Sequence, residues 1–285
     1  MNFLIVGVNG MAGHMIALYL SEKGHAVTGF ARKENSFCGT IIGDALDRNS
    51  VKQAVLSQKF DVVVNCIGVL NKEVDKDPAN GIYLNSVLPH ELSEYCKMSG
   101  SKLIHLSSDC VFSGKKGKYV ETDIPDEISY YGRTKYLGEV TNDHTLTFRT
   151  SIVGPEIKTA GVGLFNWFMH QTREINGYSN VIWSGVTTLE LAKAIDAAAK
   201  QKATGLYHLS NNQVISKRDL LYLFNLYCRQ NKVHIHSVDT PVSDKSLLCT
   251  RNDFKFVIPD YETMIIEMAK WIENHKALYV QYVGA

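Results

Sequence analysis

The sequence predicts an α/β protein with a doubly wound parallel sheet and a second, smaller α/β lobe that is discontinuous in the chain. Short apolar runs alternate with segments of helical periodicity through the first half of the chain, as strands and helices do in such sheets. The run at 60–64 is the clearest strand, because it ends in three consecutive valines. A glycine-rich turn at 7–13, between an apolar strand and an apolar helical pattern, is the second observation that favours this fold class.

Composition argues against several classes of function. The 285 residues include 30 basic and 29 acidic side chains, a net charge of +1, and no basic run is interleaved with aromatic residues. Nucleic acid is therefore not expected as a partner. The six cysteines are scattered without a Cys-x-x-Cys pair, which predicts no metal site, no disulfide framework and a reducing, cytoplasmic location. No signal-peptide pattern and no apolar run of about 18 residues is present, so we expect no membrane association.

The first strand, predicted at 3–6, leads directly into the glycine turn. Glycines let the backbone turn tightly and approach a pyrophosphate, while the free amides at the start of the next helix attract its negative charge. The spacing is Gly-x-x-Gly-x-x-Gly, and not the Gly-x-Gly-x-x-Gly of the commoner dinucleotide fingerprint. The turn makes the predicted sheet Rossmann-like, and the residues expected to contact a dinucleotide are Gly7, Asn9, Gly10, Met11 and Gly13.

The second strand, predicted at 25–30, ends next to two cations, Arg32 and Lys33. An acidic side chain at this position would bind the ribose hydroxyls of NAD, and the nearest one is Glu34. Arg32 and Lys33 can instead pair with the 2′-phosphate of NADP. The sequence therefore predicts NADP as the cofactor, with NADPH preferred over NADH.

The next two strands continue the alternation. A third strand at 40–42 leads to Asp44 and Ala45, which we expect at the adenine end of the cofactor, and a helix follows at Arg48–Leu56. The strand at 60–64 ends at the carboxyl edge of the sheet, where ligands bind in such folds. Its tip carries four further expected cofactor contacts: Asn65, Cys66, Ile67 and Gly68.

A long helix is predicted over 77–97. Asp77 can cap its N-terminus and Pro78 suits its first turn. Pro89 is expected to kink it, because proline lacks the backbone N–H of a helical residue. Asn85 on this helix is also expected to contact the cofactor.

A tyrosine and a lysine one helical turn apart, Tyr131 and Lys135, form the most informative pattern of the chain. Residues i and i+4 share a helix face, so both groups can point into one cleft. A free tyrosine has a pKa of about 10, and a neighbouring cation lowers that pKa toward the range in which proton transfer is efficient. Tyr130 cannot substitute, because its i+4 neighbour is Thr134.

A serine completes this set. The predicted strand Lys102–Leu106 ends at Ser107, Ser108 and Asp109. Successive residues of a strand point to opposite faces, so only one of the two serines can serve.

The glycine spacing, a serine at a strand tip and Tyr-x-x-x-Lys together resemble the extended short-chain dehydrogenases/reductases. The strings HLSSDCVFSG, YVETDIP, YYGRTKYLGE, FRTSIVGP and GLYHLS are similar to the dTDP-4-dehydrorhamnose reductase branch, which binds sugar nucleotides. The likeness spans about residues 1–211 and favours Ser108 over Ser107. It implies that Ser108 hydrogen-bonds a substrate carbonyl and that Tyr131 donates a proton. Lys135 would hold the nicotinamide ribose and lower the pKa of Tyr131.

The second half of the chain completes the domain organisation. A strand at 205–209 is expected to return to the large sheet. This predicts an NADP-binding domain over 1–152 plus about 186–211, and a substrate-binding lobe over about 153–185 plus 212–285. Helices are predicted at 164–169, 189–199, 217–228 and Tyr261–Asn274, with a turn at 176–180; residues 280–285 show no interpretable pattern.

The residues expected to contact the substrate are Ser108, Asp109, Val111, Phe112 and Trp183. Trp183 begins a segment that resembles a substrate-side loop. The branch usually has an alanine-rich string after the fourth strand, whereas this chain has Asn65-Cys66-Ile67-Gly68-Val69-Leu70-Asn71-Lys72. We therefore expect a differently shaped substrate pocket.

The leading hypothesis is an NADPH-dependent reductase of a nucleotide-linked 4-keto-6-deoxy sugar, as used in bacterial-type deoxysugar and polysaccharide precursor synthesis. A nucleotide-sugar epimerase or dehydratase is one alternative, although a dehydratase would need an acidic pair after the serine, and Asp109 is followed by Cys110. A non-catalytic NADP-binding regulatory subunit, such as that of methionine adenosyltransferase, is another. A homodimer through the helices at 77–97 and 130–141 is a further expectation.

Overall fold

Seven parallel strands form one sheet in the computed structural model, which describes residues 1–282. They are β1 (Asn2–Val6), β2 (Ala26–Ala31), β3 (Gly39–Ile42), β4 (Val62–Asn65), β5 (Lys102–Leu106), β6 (Thr145–Arg149) and β11 (Gly205–His208). Their order across the sheet is β11-β6-β5-β4-β1-β2-β3, and every neighbouring pair is parallel. The predicted α/β class with a Rossmann-like, doubly wound sheet is therefore confirmed.

Helices cover both faces of the sheet. They are α1 (Met11–Glu22), α2 (Arg48–Leu56), α3 (Asn71–Lys76), α4 (Pro78–Ile82), α5 (Leu88–Ser99), α6 (Tyr130–Leu137), α7 (Leu164–Met169), α8 (Thr188–Ala199), α9 (Lys217–Arg229) and α10 (Tyr261–Asn274). Alternate side chains of β1 enter two separate cores: Phe3 and Ile5 pack with α1 and α8, whereas Leu4 and Val6 pack with α2 and α5. Within residues 1–282, no helix is both long enough and apolar enough to cross a bilayer.

The direction in which the sheet is built reverses at β1, because the chain leaves β3 at one edge and returns to form β4 on the other side of β1. Ligands bind at the carboxyl ends of the strands at such a reversal. The turn after β1 requires glycine at two positions. Gly7 has a φ of +86°, and a Cβ atom on Gly13 would lie 2.3 Å from the Gly7 carbonyl oxygen.

The helix predicted over 77–97 is confirmed as one continuous helical segment over 78–99, but its irregularity does not come from a kink at Pro89. A π-helical turn at Tyr83–Val87 separates α4 from α5. Pro89 follows that turn as the second residue of α5. The Ser86 hydroxyl in the wide turn donates to the Thr134 carbonyl at 2.8 Å, which ties this segment to α6.

The smaller lobe contains short strands outside the large sheet: β7 (Ile152–Val153), β8 (Glu174–Tyr178), β9 (Val181–Trp183), β10 (Val186–Thr187), β12 (Ile215–Ser216), β13 (His234–Val238) and β14 (Ser243–Asp244). The turn predicted at 176–180 is wrong as far as Tyr178, because β8 pairs in parallel with β13. The return of the chain to the large sheet is confirmed, since β11 pairs with β6. The proposed domain boundaries remain a prediction.

The C-terminal segment packs against α1. Residues Val280–Tyr282 form a 3-10 turn, and Tyr279 before it is fully buried. The Tyr279 hydroxyl lies 2.9 Å from Nε2 of His14, which is also fully buried. Residues 283–285 of the segment that the sequence left uninterpreted lie outside the described residues.

Acidification is expected to destabilise the fold through His14. Burial lowers the pKa of His14 to about 4, although its hydrogen bond to Gly10 opposes this change. The unfolded chain binds a proton with a pKa of about 6.5, so this stabilisation is complete above that pH and is lost as the pH falls toward 4. Between pH 7 and pH 5, the protonation of His14 should lower the free energy of unfolding by about 2 kcal/mol. Urea unfolding at the two pH values measures this loss. An unchanged pH dependence in His14→Gln would contradict this assignment.

Candidate active site

A cavity of about 730 Å³ opens at the carboxyl ends of β1, β2 and β4, where the strand order reverses. Most of the residues predicted to contact the cofactor line it: Gly7, Asn9, Gly10, Arg32, Lys33, Asp44, Ala45, Cys66, Ile67 and Gly68. The structure thus brings together side chains and backbone from four successive strand tips.

The glycine turn has both space and hydrogen-bonding capacity for a dinucleotide. A Cβ atom on Gly7 would lie 2.8 Å from Cγ1 of Ile67, so a larger residue would displace the cavity wall. The Asn9 amide donates to the Lys33 carbonyl at 2.8 Å, while its buried Oδ1 has no partner among the residues that the structure describes. No side chain caps the first turn of α1, which leaves its amides available to an anion. These groups fit a dinucleotide with a pyrophosphate.

Arg32 and Lys33 line the cavity on the same side as Asp44. Both cations are exposed, and neither forms an ion pair within the described range 1–282. Glu34 is also exposed and does not line the cavity. Two exposed cations without an ion-pair partner in the described range, next to the adenine end of the cavity, fit the 2′-phosphate of NADP.

Six predicted cofactor contacts do not line the cavity: Met11, Gly13, Asn65, Asn85, Tyr131 and Lys135. Asn65 is fully buried, with its amide against His105 Nδ1 at 3.1 Å and its Oδ1 accepting from the Ile67 amide at 3.1 Å. Asn85 is fully buried as well, and its side chain both accepts from Val69 N–H and donates to the Val69 carbonyl. Both side chains hold the loop after β4, and Asn85 Oδ1 lies 3.9 Å from the position of a Cβ atom on Gly68. A contact of either residue with the cofactor remains a prediction.

The two serines at the tip of β5 point apart, as strand alternation predicts. The Ser107 hydroxyl donates to Oε1 of Glu139 at 2.7 Å. The Ser108 hydroxyl donates to Oδ1 of Asp109 at 3.2 Å and is close enough to Tyr131 to affect its pKa. The geometry therefore supports Ser108 as the serine that shares a pocket with the tyrosine.

Tyr131 lies in the first turn of α6 and is partly buried. Burial raises the pKa of its phenol and Cys110 adds to this rise; a hydrogen bond with Ser108 opposes it, and Asp109 adds a smaller increase. The expected lowering by Lys135 is not observed. The phenol is therefore protonated at neutral pH, which is the state that a proton donor requires.

Lys135 is held by the backbone at the end of β5. Its side chain is 3% exposed, and its ammonium donates to the Leu106 carbonyl at 2.7 Å. Burial lowers the pKa of Lys135 to about 8, and the nearby Glu139 opposes this change. The ammonium nitrogen lies 4.0 Å from the position of a Cβ atom on Gly68, which places it at the end of the cavity.

A buried ion pair lies behind Ser107. Arg149 donates to both carboxylate oxygens of Glu139, at 2.7 and 2.6 Å, and the side chains are 2% and 4% exposed. Arg149 also approaches Nε2 of His208 at 3.3 Å and lies over the ring of Phe112. This network connects the ends of β5, β6 and β11 with Glu139, which lies two residues beyond the end of α6.

Two predicted substrate contacts are corrected by burial. Val111 and Phe112 are fully buried and form a small core with Tyr119 and Leu247. The ring of Phe112 stacks on that of Tyr119 with their centroids 4.0 Å apart. Neither side chain is open to a substrate.

Two lysines of the smaller lobe were not found from the sequence, although both are near Asp109. Burial lowers the pKa of Lys217 to about 8, opposed by Asp109, and its ammonium lies over the ring of Trp183 at 5.2 Å. Lys245 donates to Oε2 of Glu127 at 2.9 Å. Trp183 itself is only 3% exposed. No local motif marks either lysine, because the fold brings them to Asp109 from more distant parts of the chain.

A doubly wound parallel sheet, a glycine turn at its first strand and a Ser, Tyr and Lys set beside the cavity define the class of extended short-chain dehydrogenases/reductases. The family model described as RmlD substrate binding domain matches residues 1–244, and the chain belongs to that family. The family predicted from the sequence is therefore confirmed.

Three relatives show how far the sequence similarity extends. The "Probable low-salt glycan biosynthesis reductase Agl14" of Haloferax volcanii is 29% identical over 75% of this chain and 76% of its own. The dTDP-4-dehydrorhamnose reductase of Streptomyces griseus is 33% identical over 48% of this chain and 43% of its own. Methionine adenosyltransferase 2 subunit beta of Bos taurus is 32% identical over 48% of this chain and 41% of its own.

A solved structure shares the fold over nearly the whole chain. The dTDP-4-dehydrorhamnose reductase from Bacillus anthracis, in complex with NADP, matches with a TM-score of 0.80 at 22% identity. The match covers 95% of this chain and 99% of that chain.

Proposed function

We propose that the protein is an NADPH-dependent reductase of a nucleotide-linked 4-keto-6-deoxy sugar. The observation that carries this proposal is the hydrogen bond between Tyr131 and Ser108, one helical turn from Lys135, whose ammonium lies beside Gly68 of the cavity wall. Arg32, which has no ion-pair partner within residues 1–282, lines the other end of the cavity. The reductase names of relatives that match up to three quarters of the chain support it.

Each residue of the set has a distinct task in carbonyl reduction. The bound cofactor would supply the hydride. Ser108 would hold the carbonyl oxygen by a hydrogen bond, and Tyr131 would donate its phenolic proton to the oxygen as negative charge develops there. Lys135, anchored on the Leu106 carbonyl, would bind the nicotinamide ribose. Replenishing that proton requires access to solvent.

The substrate class is tested by incubating the protein with NADPH and a panel of dTDP-, UDP- and GDP-linked 4-keto-6-deoxy sugars. We expect stoichiometric NADPH oxidation and a product two mass units heavier than the substrate. Isomerisation without net NADPH oxidation would indicate an epimerase. Failure to turn over any member of the panel would contradict the proposal.

Arg32 is expected to select NADPH. Removing its guanidinium in Arg32→Ala should raise KM for NADPH about tenfold, since a charge-assisted contact to the 2′-phosphate is lost, and should leave KM for NADH unchanged. Steady-state kinetics with both cofactors measures this difference. Arg173→Ala, at an exposed arginine of the smaller lobe, is the matched control. Equal effects on both cofactors would remove Arg32 from this role.

A non-catalytic regulatory subunit is the second candidate, because methionine adenosyltransferase 2 subunit beta matches the chain about as well as the Streptomyces griseus reductase does. A stoichiometric complex with an enzyme partner, together with NADPH binding and no turnover of the sugar panel, would favour it. An epimerase or dehydratase has no comparable support.

The assembly and cellular context are also proposals. A homodimer through the segments at 77–97 and 130–141 is supported by exposed apolar side chains on their surface: Ile82, Tyr136 and Leu137. Six free cysteines suit a reducing cytoplasm. A nucleotide sugar as substrate suits a role in polysaccharide precursor synthesis.

A further inference from the structure

We propose that Lys158 is a cofactor-binding residue that the smaller lobe contributes, and that the C-terminal segment holds it in place. Its ligand would be the pyrophosphate of the dinucleotide. This inference rests on the proposed function, because it requires that the cavity bind NADPH. It assigns roles to two parts of the chain that the sequence left without one: the loop 154–163 and the segment 279–282.

Lys158 lines the same cavity as Gly7, Gly10 and Arg32. The rest of the described cavity wall comes from strand tips and loops of the large sheet and from Leu84 of the π-helical turn, so Lys158 is a separate contribution from the loop after β7. Its side chain is exposed, and it makes no ion pair or hydrogen bond through its ammonium within residues 1–282. An uncommitted cation in this position is available to an anionic ligand.

The loop that carries Lys158 approaches the start of α1. A Cβ atom on Gly163 would lie 3.1 Å from Sδ of Met11, the first residue of that helix. The first turn of α1 has no side-chain cap, and it is where a pyrophosphate binds in this kind of sheet. Arg32, by contrast, follows β2 at the adenine end. The pyrophosphate is therefore the anion that Lys158 can reach.

Glu156 gives the loop its shape. Its side chain is 9% exposed, and Oε1 accepts from the Gly163 amide at 2.7 Å. A Cβ atom on Gly161 would lie 2.4 Å from Cδ of Glu156, so the loop is folded tightly around this carboxylate. Asn166 also donates to the Gly161 carbonyl at 2.9 Å. The loop that carries Lys158 is therefore held by hydrogen bonds between the side chains of Glu156 and Asn166 and its own backbone.

The C-terminal segment fixes that loop from outside. The Tyr282 hydroxyl accepts from the Glu156 amide at 3.1 Å and donates to Oδ1 of Asn166 at 2.7 Å. The Gln281 side chain donates to the Glu156 carbonyl. Tyr279, three residues earlier, contacts His14 of α1. The segment therefore connects the lysine loop to the helix whose start faces the pyrophosphate, and Tyr282 is a positioning residue for Lys158.

Fluorescence titrations with NADPH and with NADH test the lysine. Lys158→Ala should raise both dissociation constants by about tenfold, because the pyrophosphate is common to the two cofactors. Arg32→Ala should weaken NADPH alone, and Lys52→Ala, at an exposed lysine of α2, should change neither. An unchanged affinity in Lys158→Ala, or a loss confined to NADPH, would overturn the inference.

A double variant tests the positioning role. Tyr282→Phe removes the hydroxyl and should weaken both cofactors about threefold, whereas Tyr282→Phe combined with Lys158→Ala should bind no more weakly than Lys158→Ala alone. Additive losses would overturn the link between the two residues, as would wild-type affinity in Tyr282→Phe. Urea unfolding of each variant separates loss of binding from loss of folding. If the wild-type protein binds neither cofactor, the proposed function itself fails. If it binds NADPH and Arg32→Ala weakens the binding of NADPH alone, an unchanged affinity in Lys158→Ala overturns only this inference.

Discussion

Tyr131→Phe is expected to lower kcat by about 100- to 10,000-fold while leaving the affinity for NADPH nearly unchanged. This range corresponds to roughly 3 to 5 kcal/mol of activation free energy. The phenylalanine ring keeps the packing of a partly buried residue but removes the proton that would reach the substrate oxygen. Single-turnover kinetics with a 4-keto sugar nucleotide, beside NADPH titrations, separates the chemical step from binding.

Tyr130→Phe is the matched control for this prediction. Tyr130 precedes Tyr131 on α6, is 56% exposed and has Thr134 in the i+4 position. The control variant should keep wild-type kcat. If Tyr131→Phe also keeps it, or if Tyr130→Phe loses it, Tyr131 is not the proton donor.

Glu139→Ala is expected to lower the free energy of unfolding by about 3–5 kcal/mol, the usual cost of removing one partner of a buried ion pair. The guanidinium of Arg149 would remain buried without its carboxylate, and Ser107 would lose its acceptor. Urea unfolding at pH 7 measures the change. Because Ser107 adjoins Ser108, we also expect reduced activity in the folded fraction.

Glu73→Ala is the matched control, because Glu73 pairs with Lys76 on the surface, where both side chains are more than half exposed. That variant should lose no more than about 1 kcal/mol. A second comparison replaces Glu139 and Arg149 together by leucine and methionine. This pair should recover most of the lost stability, since no charge is left unpaired. Equal stability of Glu139→Ala and Glu73→Ala would contradict the importance of the buried pair.

Features that depend on residues close in sequence could be predicted. The glycine turn, the strand tips and the i, i+4 pair of Tyr131 and Lys135 are local patterns, and the structure has them where expected. The π-helical turn at Tyr83–Val87 was missed because its sequence is compatible with a regular helix. It forms where Asn85 and Ser86 bond to the loop after β4 and to α6.

The candidate site was less predictable where contacts come from distant segments. The place of Phe112 shortly after Ser108 suggested a pocket residue, but Phe112 is buried against Tyr119 and Leu247. An asparagine at a strand tip can bind either a ligand or the backbone, and only the fold showed that Asn65 binds the backbone. Lys217 and Lys158 reach the site through the smaller lobe, which has no repeating pattern that would place them.

The position of β11 has a consequence for how the protein is synthesised. The cavity wall apart from Lys158 is encoded between Gly7 and Leu84, so the ribosome completes the cofactor half of the site first. β6 then remains an unpaired strand edge until β11 follows, which takes several seconds at usual elongation rates. An open edge of this kind can pair with another chain. Early capture of NADPH by the nascent sheet would stabilise it during this interval, before any substrate pocket exists.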